Sequence, residues 1–130
     1  GFVAVLFAEL LSEEFTVQAV CLFVFIGHCF PIWLKFKGGK GVATYIGIVT
    51  SINFLFGLVT CVIWLLSAAI LRISSFSALL STISGPFIVF FLLDSSFLGM
   101  SAMLSCLIFW THRANIRRIL NGTESNINVN

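Results

Sequence analysis

The chain has 130 residues, of which 59% are hydrophobic and only 9% are charged. A soluble domain typically carries about a quarter charged residues, so this composition excludes a soluble globular domain and predicts an integral membrane protein. The net charge of +2 is too small to indicate a nucleic-acid partner.

Five apolar segments follow one another along the chain, at residues 2–12, 16–34, 41–71, 73–93 and 95–111. About 20 apolar residues span a bilayer as one helix. The segment 41–71 would form a helix of roughly 46 Å, which is too long for one ordinary crossing. We therefore predict two shortened helices with a break near Ser51–Asn53. Gly85-Pro86 predicts a kink or break within 73–93.

Basic and acidic residues lie in different turns along the chain. All seven basic residues fall in three turns, at residues 35–40, at Arg72 and at residues 112–118. Other turns hold the acidic residues Glu13, Glu14 and Asp94. If 41–71 crosses twice, the three basic turns share one membrane face, which the positive-inside rule makes cytoplasmic.

These patterns predict an all-α, polytopic transmembrane helical bundle with broken or re-entrant helices. We expect one integral membrane domain over residues 1–124 and a polar tail over residues 125–130. The cysteines lack CxxC spacing, which favours free thiols over metal ligands or disulfides. They are Cys21, Cys29, Cys61 and Cys106.

The stretch "KFKGGKGVAT" combines lysines with glycines. Gly38-Gly39 and Gly41 allow close approach of a ligand to the main chain, and a helix starting near Gly41 would add its positive dipole end. Lys37 and Lys40 add full charges. We predict a site for a phosphate or carboxylate group at the membrane surface. The alternative is a basic turn that binds lipid headgroups.

The stretch "THRANIRRILNGTE" follows the last apolar segment. If that span continues as a helix, His112 and Asn115 share a face, Arg118 continues it, and Arg113 and Arg117 form a neighbouring stripe. A histidine near an amide and several guanidinium groups suits acyl or phosphoryl chemistry. The alternative is a solvated helix next to the membrane.

A third patch, "RISSFSALLS", runs from Arg72 to Ser81. Its hydroxyl groups could donate to a bound anion or cap a helix, and capping is the commoner use. His28 could contact a ligand, but a structural role with a hydrogen bond to a carbonyl is preferred. Because the three basic patches share one predicted face, we expect one site for an anionic, phosphorylated substrate.

The amino-acid sequences of these motifs resemble those of a known family. "GHCFPIWLKFKGGKGVAT" and "HRANIRRILNGTE" are similar to the second and third motifs of the bacterial acyl-phosphate:glycerol-3-phosphate acyltransferases, over roughly Gly1 to Glu124. The resemblance implies a multi-pass inner-membrane enzyme of phospholipid synthesis with a cytoplasmic site. It would transfer an acyl group from acyl phosphate to the 1-hydroxyl of glycerol 3-phosphate, giving lysophosphatidic acid and phosphate. No cofactor or metal is implied.

The resemblance also assigns residues. The catalytic pair would be His112 and Asn115. Substrate would be bound by the loop residues Lys37, Gly38, Gly39, Lys40 and Thr44, and by Ser75, Arg117 and Glu124, with Gly122 completing the third motif. Two departures stand out: Ala78 replaces a second serine, and the first motif of the family is absent. It should lie upstream of Gly1, so we expect a C-terminal portion or a truncated copy.

The residue types suggest a mechanism with open alternatives. His112, positioned by Asn115, would act as general base or would orient the hydroxyl, and a phosphate oxygen of the substrate is a rival base. The acyl chain would lie between helices. A membrane anion transporter, or an inactive remnant or subunit that needs a partner fragment, are the competing interpretations.

Overall fold

The computed structural model describes residues 1–11 and 13–127. Within these residues the regular structure is helical throughout, and no strand occurs. Short 3₁₀ turns lie at Ile32–Leu34 and Ser95–Phe97. The α-helices are α1 (Phe2–Leu11), α2 (Glu14–Cys29), α3 (Val42–Ile52), α4 (Phe54–Leu71), α5 (Ser74–Ile83), α6 (Gly85–Leu92), α7 (Leu98–Thr111) and α8 (Arg113–Leu120). The predicted all-α class is confirmed.

Three helical stretches are long and apolar enough to cross a membrane: Glu14–Leu34, Phe54–Leu71 and Ser74–Leu92. Many large apolar side chains point outward, including Phe15, Phe23 and Phe91. A soluble protein would bury most of these side chains, whereas lipid tails solvate them. This apolar outer surface is the one that the predicted transmembrane bundle requires.

The helix is interrupted at Asn53, as predicted for the long apolar segment 41–71. Asn53 is extended (φ −156°, ψ 123°) and its Oδ1 accepts a hydrogen bond of 3.0 Å from the Phe56 N–H, which caps α4. After the break, Gly57 packs so closely on Thr50 that a Cβ at position 57 would lie 2.6 Å from the Thr50 Cα. Helices α3 and α4 therefore form a hairpin, in which α3 is too short to span a bilayer alone.

The second predicted break is confirmed at Gly85-Pro86, between α5 and α6. Pro86 has no N–H, so the Thr82 carbonyl loses its usual partner four residues further along. Ser105 of α7 supplies a donor in its place: the single hydroxyl proton is shared between the Thr82 oxygen and the Ser101 oxygen, each 2.9 Å from Oγ. An exposed carbonyl is costly inside a membrane, so this bond stabilises the kink and fixes α7 beside it.

Most of the buried apolar side chains of the core come from α2, α3 and α7. The buried side chains of α2 recur every four residues, which places them on one face of the helix; they are Val17, Cys21, Phe25 and Cys29. All four cysteines are free thiols, as expected, with Cys21 and Cys29 buried and Cys106 exposed.

The condition that the last span continues as one helix is not met. His112 has φ −92° and ψ 6° and separates α7 from α8. After α8 the chain turns at Gly122, whose φ is 67°. Residues 125–127 of the predicted tail stay on the body, because the Ile127 N–H donates to the Arg72 carbonyl at 2.6 Å. Residues 128–130 lie outside the described part.

Candidate functional site

A cavity of about 550 Å³ lies where the loop before α3 meets the start of α5 and helix α8. Its polar lining combines the three sequence patches: Lys40, Ser74, Ser75, His112, Asn115, Arg118, Glu124 and Ser125. The remaining lining is apolar: Val42, Ala43, Ile46, Trp64 and Ala78. Charged side chains and an apolar wall therefore line the same cavity, which suits a ligand with an anionic head and an aliphatic part.

His112 is held in one tautomer. The side chain is only 2% exposed, and its Nδ1 lies 2.9 Å from the Ile108 carbonyl oxygen. Because a carbonyl can only accept, Nδ1 must carry the proton, which leaves Nε2 as the basic nitrogen. Burial lowers the pKa of His112, an effect that the Ile108 bond opposes. The imidazole is thus neutral at pH 7.

The orientation of His112 differs from the expected one. We predicted that Asn115 positions the imidazole, but among the described residues the Nδ1 partners are the Ile108 carbonyl and, at 3.4 Å, the Thr111 hydroxyl. The single hydroxyl proton of Thr111 is shared between the Lys40 carbonyl, at 3.0 Å, and the Ile108 carbonyl, at 2.9 Å. The bond to the Lys40 carbonyl ties the loop that carries Lys40 to the helix end that carries His112.

Glu124 links three elements of the cavity. Its Oε1 accepts hydrogen bonds of 2.6 Å from the Ser75 hydroxyl and from Asn115 Nδ2, and its Oε2 accepts one of 2.6 Å from Arg118 Nε. The Ser75 and Asn115 bonds, with a smaller effect of Arg118, lower the pKa of Glu124 to about 2. The carboxylate is ionised at neutral pH. It accepts hydrogen bonds from Ser75 and Asn115, two side chains that we had assigned to the substrate.

The glycine pair of the loop faces α2 rather than this cavity. The Gly38 N–H donates to the Cys29 carbonyl at 3.1 Å, and a Cβ at position 38 would lie 2.6 Å from that oxygen. A Cβ on Gly39 would lie 2.7 Å from His28 Nε2. Together with Lys37 they line a separate pocket of about 260 Å³. Gly38 therefore permits close packing of two backbone segments, and Gly39 permits close approach of the His28 ring.

The helix start expected near Gly41 is confirmed. Gly41 precedes α3 with φ 84°, a conformation that favours glycine. A Cβ there would also collide with the Phe25 ring of α2. The following helix thus begins beside Lys40, at the cavity.

Two other predicted residues lie away from the cavity. Thr44 is buried, and a Cβ at Gly1 would lie 2.9 Å from its carbonyl oxygen. Arg117 is exposed and does not line the cavity, whereas Arg118 does. The three-residue spacing of His112, Asn115 and Arg118 had already indicated that Arg118 lies on the same side as the other two. Trp64 was missed because it lies within the apolar segment 41–71, away from the three basic patches.

Comparison with known proteins identifies relatives. The family described as "Glycerol-3-phosphate acyltransferase" matches residues 1–122. Curated relatives of that name include one from Roseobacter denitrificans, 44% identical over 98% of this chain and 64% of its own length. Another, from Nitrobacter winogradskyi, is 44% identical over 98% of this chain and 65% of its own length. The chain thus spans somewhat less than two thirds of these relatives.

Two solved structures are similar to this fold. They are crystal structures of PlsY (YgiH), an integral membrane glycerol 3-phosphate acyltransferase, in a glycerol 3-phosphate form and a lysophosphatidic acid form. Both have a TM-score of 0.91 and 30% identity. They cover 98% and 96% of this chain, and the chain covers 66% and 65% of them. The predicted transmembrane bundle is thereby confirmed, and the chain belongs to the glycerol-3-phosphate acyltransferase family.

Proposed function

We propose that the protein transfers a fatty acyl group from acyl phosphate to the 1-hydroxyl of glycerol 3-phosphate, giving lysophosphatidic acid and inorganic phosphate. One observation carries the proposal: a buried histidine with a fixed tautomer lines a cavity whose lining also holds two cationic side chains and an apolar wall. Family membership agrees with this chemistry.

The reaction needs one proton acceptor. The 1-hydroxyl oxygen attacks the acyl carbonyl carbon, its proton passes to Nε2 of His112, and the bond from that carbon to the phosphate oxygen breaks. Phosphate is a good leaving group, so catalysis is mainly positioning and neutralisation of charge. Lys40 and Arg118, which line the cavity, would bind the phosphates, and the acyl chain would lie along Ile46 and Trp64.

The other predicted residues take supporting positions in this proposal. Lys37 and the Gly38-Gly39 pair hold the loop that presents Lys40, and they lie against α2. Ser75 and Glu124 shape the cavity through their mutual hydrogen bond. Thr44 and Arg117 are assigned no contact with substrate.

We place the site at the cytoplasmic face of the bacterial inner membrane, among membrane lipids. Support comes from the charges: the loop carrying Lys40, the turn at Arg72 and helix α8 meet at one end of the bundle. The positive-inside rule assigns such an end to the cytoplasm. Cysteine labelling of Lys35→Cys in spheroplasts and in inverted vesicles tests this, and labelling from outside would contradict it.

The function is tested with labelled acyl phosphate and glycerol 3-phosphate supplied to membranes that contain the chain. We expect labelled lysophosphatidic acid. Uptake of either phosphate without acyl transfer would favour a transporter instead. The assay is run with and without an upstream extension, and turnover in neither case would favour an inactive remnant.

We expect Lys40→Ala to raise the KM for a phosphorylated substrate roughly tenfold, because a charged donor to phosphate is lost. Lys35→Ala is the matched control, since Lys35 belongs to the same loop but does not line the cavity. Steady-state kinetics with each substrate varied in turn gives the measurement. Unchanged KM values for both substrates in Lys40→Ala would rule out this role.

The pH dependence follows from the tautomer and burial of His112. Because burial lowers the pKa below 6.5, the basic form already dominates at pH 7. We expect kcat/KM to fall on acidification with a midpoint below 6.5, and to be flat above it. A pH–rate profile of the wild type and of His112→Gln tests this. A limb that persists unchanged in His112→Gln belongs to another group, such as the substrate phosphate.

A further inference from the structure

An apolar groove of about 540 Å³ lies on the outer side of α7, between the end of α5 and the start of α8. Its lining residues are Ile83, Ser105, Cys106, Phe109, Trp110 and Arg113. None of them lines the cavity around His112. Ile83 and Trp110 are 48% and 62% exposed, so the groove opens to the surface that lipid tails solvate.

The groove runs from the membrane interior to the basic end of the bundle. Ile83 lies midway along the apolar stretch Ser74–Leu92, whereas Arg113 begins α8 beyond the end of α7. The Ser105 hydroxyl offers no free donor to a ligand, because its proton is shared between the carbonyls of Thr82 and Ser101. The wall is therefore apolar along its length, with one charged group at its end.

Arg113 is that charged group, and it is held against the groove wall. Its Nη1 donates to the Trp110 carbonyl at 3.1 Å, and its Cζ lies 5.2 Å from the centroid of the Trp110 ring. Among the described residues the one ion pair joins Arg118 to Glu124, so none of their carboxylates neutralises Arg113. A guanidinium has five N–H donors, and the Trp110 carbonyl occupies one of them.

An anionic phospholipid has the chemistry that this arrangement lacks. It brings a phosphate and an acyl chain in one molecule, whereas free phosphate would leave the apolar wall uncovered. A protein helix would need a carboxylate at the edge of the hydrocarbon layer, where charges are rare. Guanidinium forks bind phosphate in a bidentate manner. Arg117, exposed one turn after Arg113, disfavours a headgroup that also carries an ammonium.

We propose that this groove is a binding site for an anionic phospholipid of the bilayer. Arg113 holds the phosphate, and one acyl chain lies along Phe109 and Cys106 towards Ile83. The site is separate from the cavity around His112, and its existence does not depend on acyl transfer.

Fluorescence of Trp110 reports occupancy, because its ring lines the groove. Trp33→Phe with Trp64→Phe leaves Trp110 as the one remaining tryptophan of the three in these 130 residues. The protein is reconstituted in phosphatidylcholine vesicles that contain increasing fractions of phosphatidylglycerol or phosphatidylcholine with brominated acyl chains, which quench indole emission. We expect half-maximal quenching at an about fivefold lower fraction of phosphatidylglycerol, the scale of one basic residue at an anionic membrane surface. Equal quenching by the two lipids would overturn the proposal.

Arg113→Gln separates a defined site from general attraction to the membrane. We expect the preference for phosphatidylglycerol to fall to near one, while quenching by brominated phosphatidylcholine persists. Arg117→Gln is the matched control, because it removes the same charge from the same helix but from outside the groove; it should keep most of the preference. Equal losses in the two variants would indicate diffuse attraction and would overturn the site. Each preference is a ratio within one variant, so the amount of folded protein does not affect it.

Further outcomes test the occupant. Quenching of Trp110 by neither brominated lipid would show that another protein segment or a second copy covers the groove, and would overturn the proposal. Excess inorganic phosphate should leave the quenching unchanged, because it cannot replace the acyl chain. Displacement of phosphatidylglycerol by acyl phosphate at its KM would make the groove part of the reaction site, and would equally overturn a separate lipid site. Acyl transfer is measured independently, so its absence would overturn the proposed function alone.

Discussion

His112→Ala is expected to lower kcat for acyl transfer by about 10² or more, because a positioned general base typically contributes a factor of that size. The loss should appear mainly in kcat, since the cations that bind phosphate remain in place. Lys40 and Arg118 line the cavity independently of the imidazole. Release of labelled lysophosphatidic acid under saturating acyl phosphate provides the measurement.

His112→Gln is the comparison that isolates the proton acceptor. Glutamine keeps much of the volume and can still donate toward Ile108, which His112 contacts at 2.9 Å, but it has no basic nitrogen. We expect both variants to lose turnover to a similar extent, with unchanged thermal unfolding for His112→Gln. Near-wild-type turnover in His112→Gln would exclude the base role and would favour a phosphate oxygen of the substrate as the base.

The breaks in the helices could be predicted because their causes are local. Asn53 caps the helix that follows it through a bond to Phe56, and Pro86 removes one backbone donor wherever it stands in a helix. The confinement of basic residues to three turns also follows from sequence, since charges avoid the hydrocarbon layer. These features sufficed to predict a bundle whose basic patches meet at one end.

The partners of the polar side chains could not be predicted, because they are distant in sequence. Ser75 and Glu124 are separated by 49 positions, and nothing near either residue indicates that the serine serves the chain's own carboxylate. Only the chain turn after α8, at Gly122, brings Glu124 back to Arg118.

The contacts of the glycine-rich loop could not be predicted from the sequence for a different reason. Sequence indicates that Gly38-Gly39 lets something approach the main chain, but it does not say what approaches. In the structure it is the end of α2, where the Gly38 N–H meets the Cys29 carbonyl and Gly39 meets the His28 ring. A glycine that admits a ligand and a glycine that admits a backbone carbonyl have the same sequence signature.

Gly38→Ala follows from that packing and is expected to destabilise the fold by about 1–3 kcal/mol, the usual range for an overpacked site. The new Cβ would lie 2.6 Å from the Cys29 oxygen and 2.6 Å from Pro31 Cδ. Both belong to rigid backbone or a proline ring, so neither can move aside as a flexible side chain could. Displacement of the loop should also move Lys40 and raise the KM for the phosphorylated substrate.

Gly27→Ala is the matched control, because Gly27 lines the same small pocket but a Cβ there meets nothing within 4 Å. In a helix interior this change should stabilise slightly, by about 0.5–1 kcal/mol. Thermal unfolding in detergent, with substrate kinetics on the same samples, compares the two variants. If Gly38→Ala unfolded at the wild-type temperature with an unchanged KM, the loop would not be held by α2, and the glycines would again be open to direct contact with substrate.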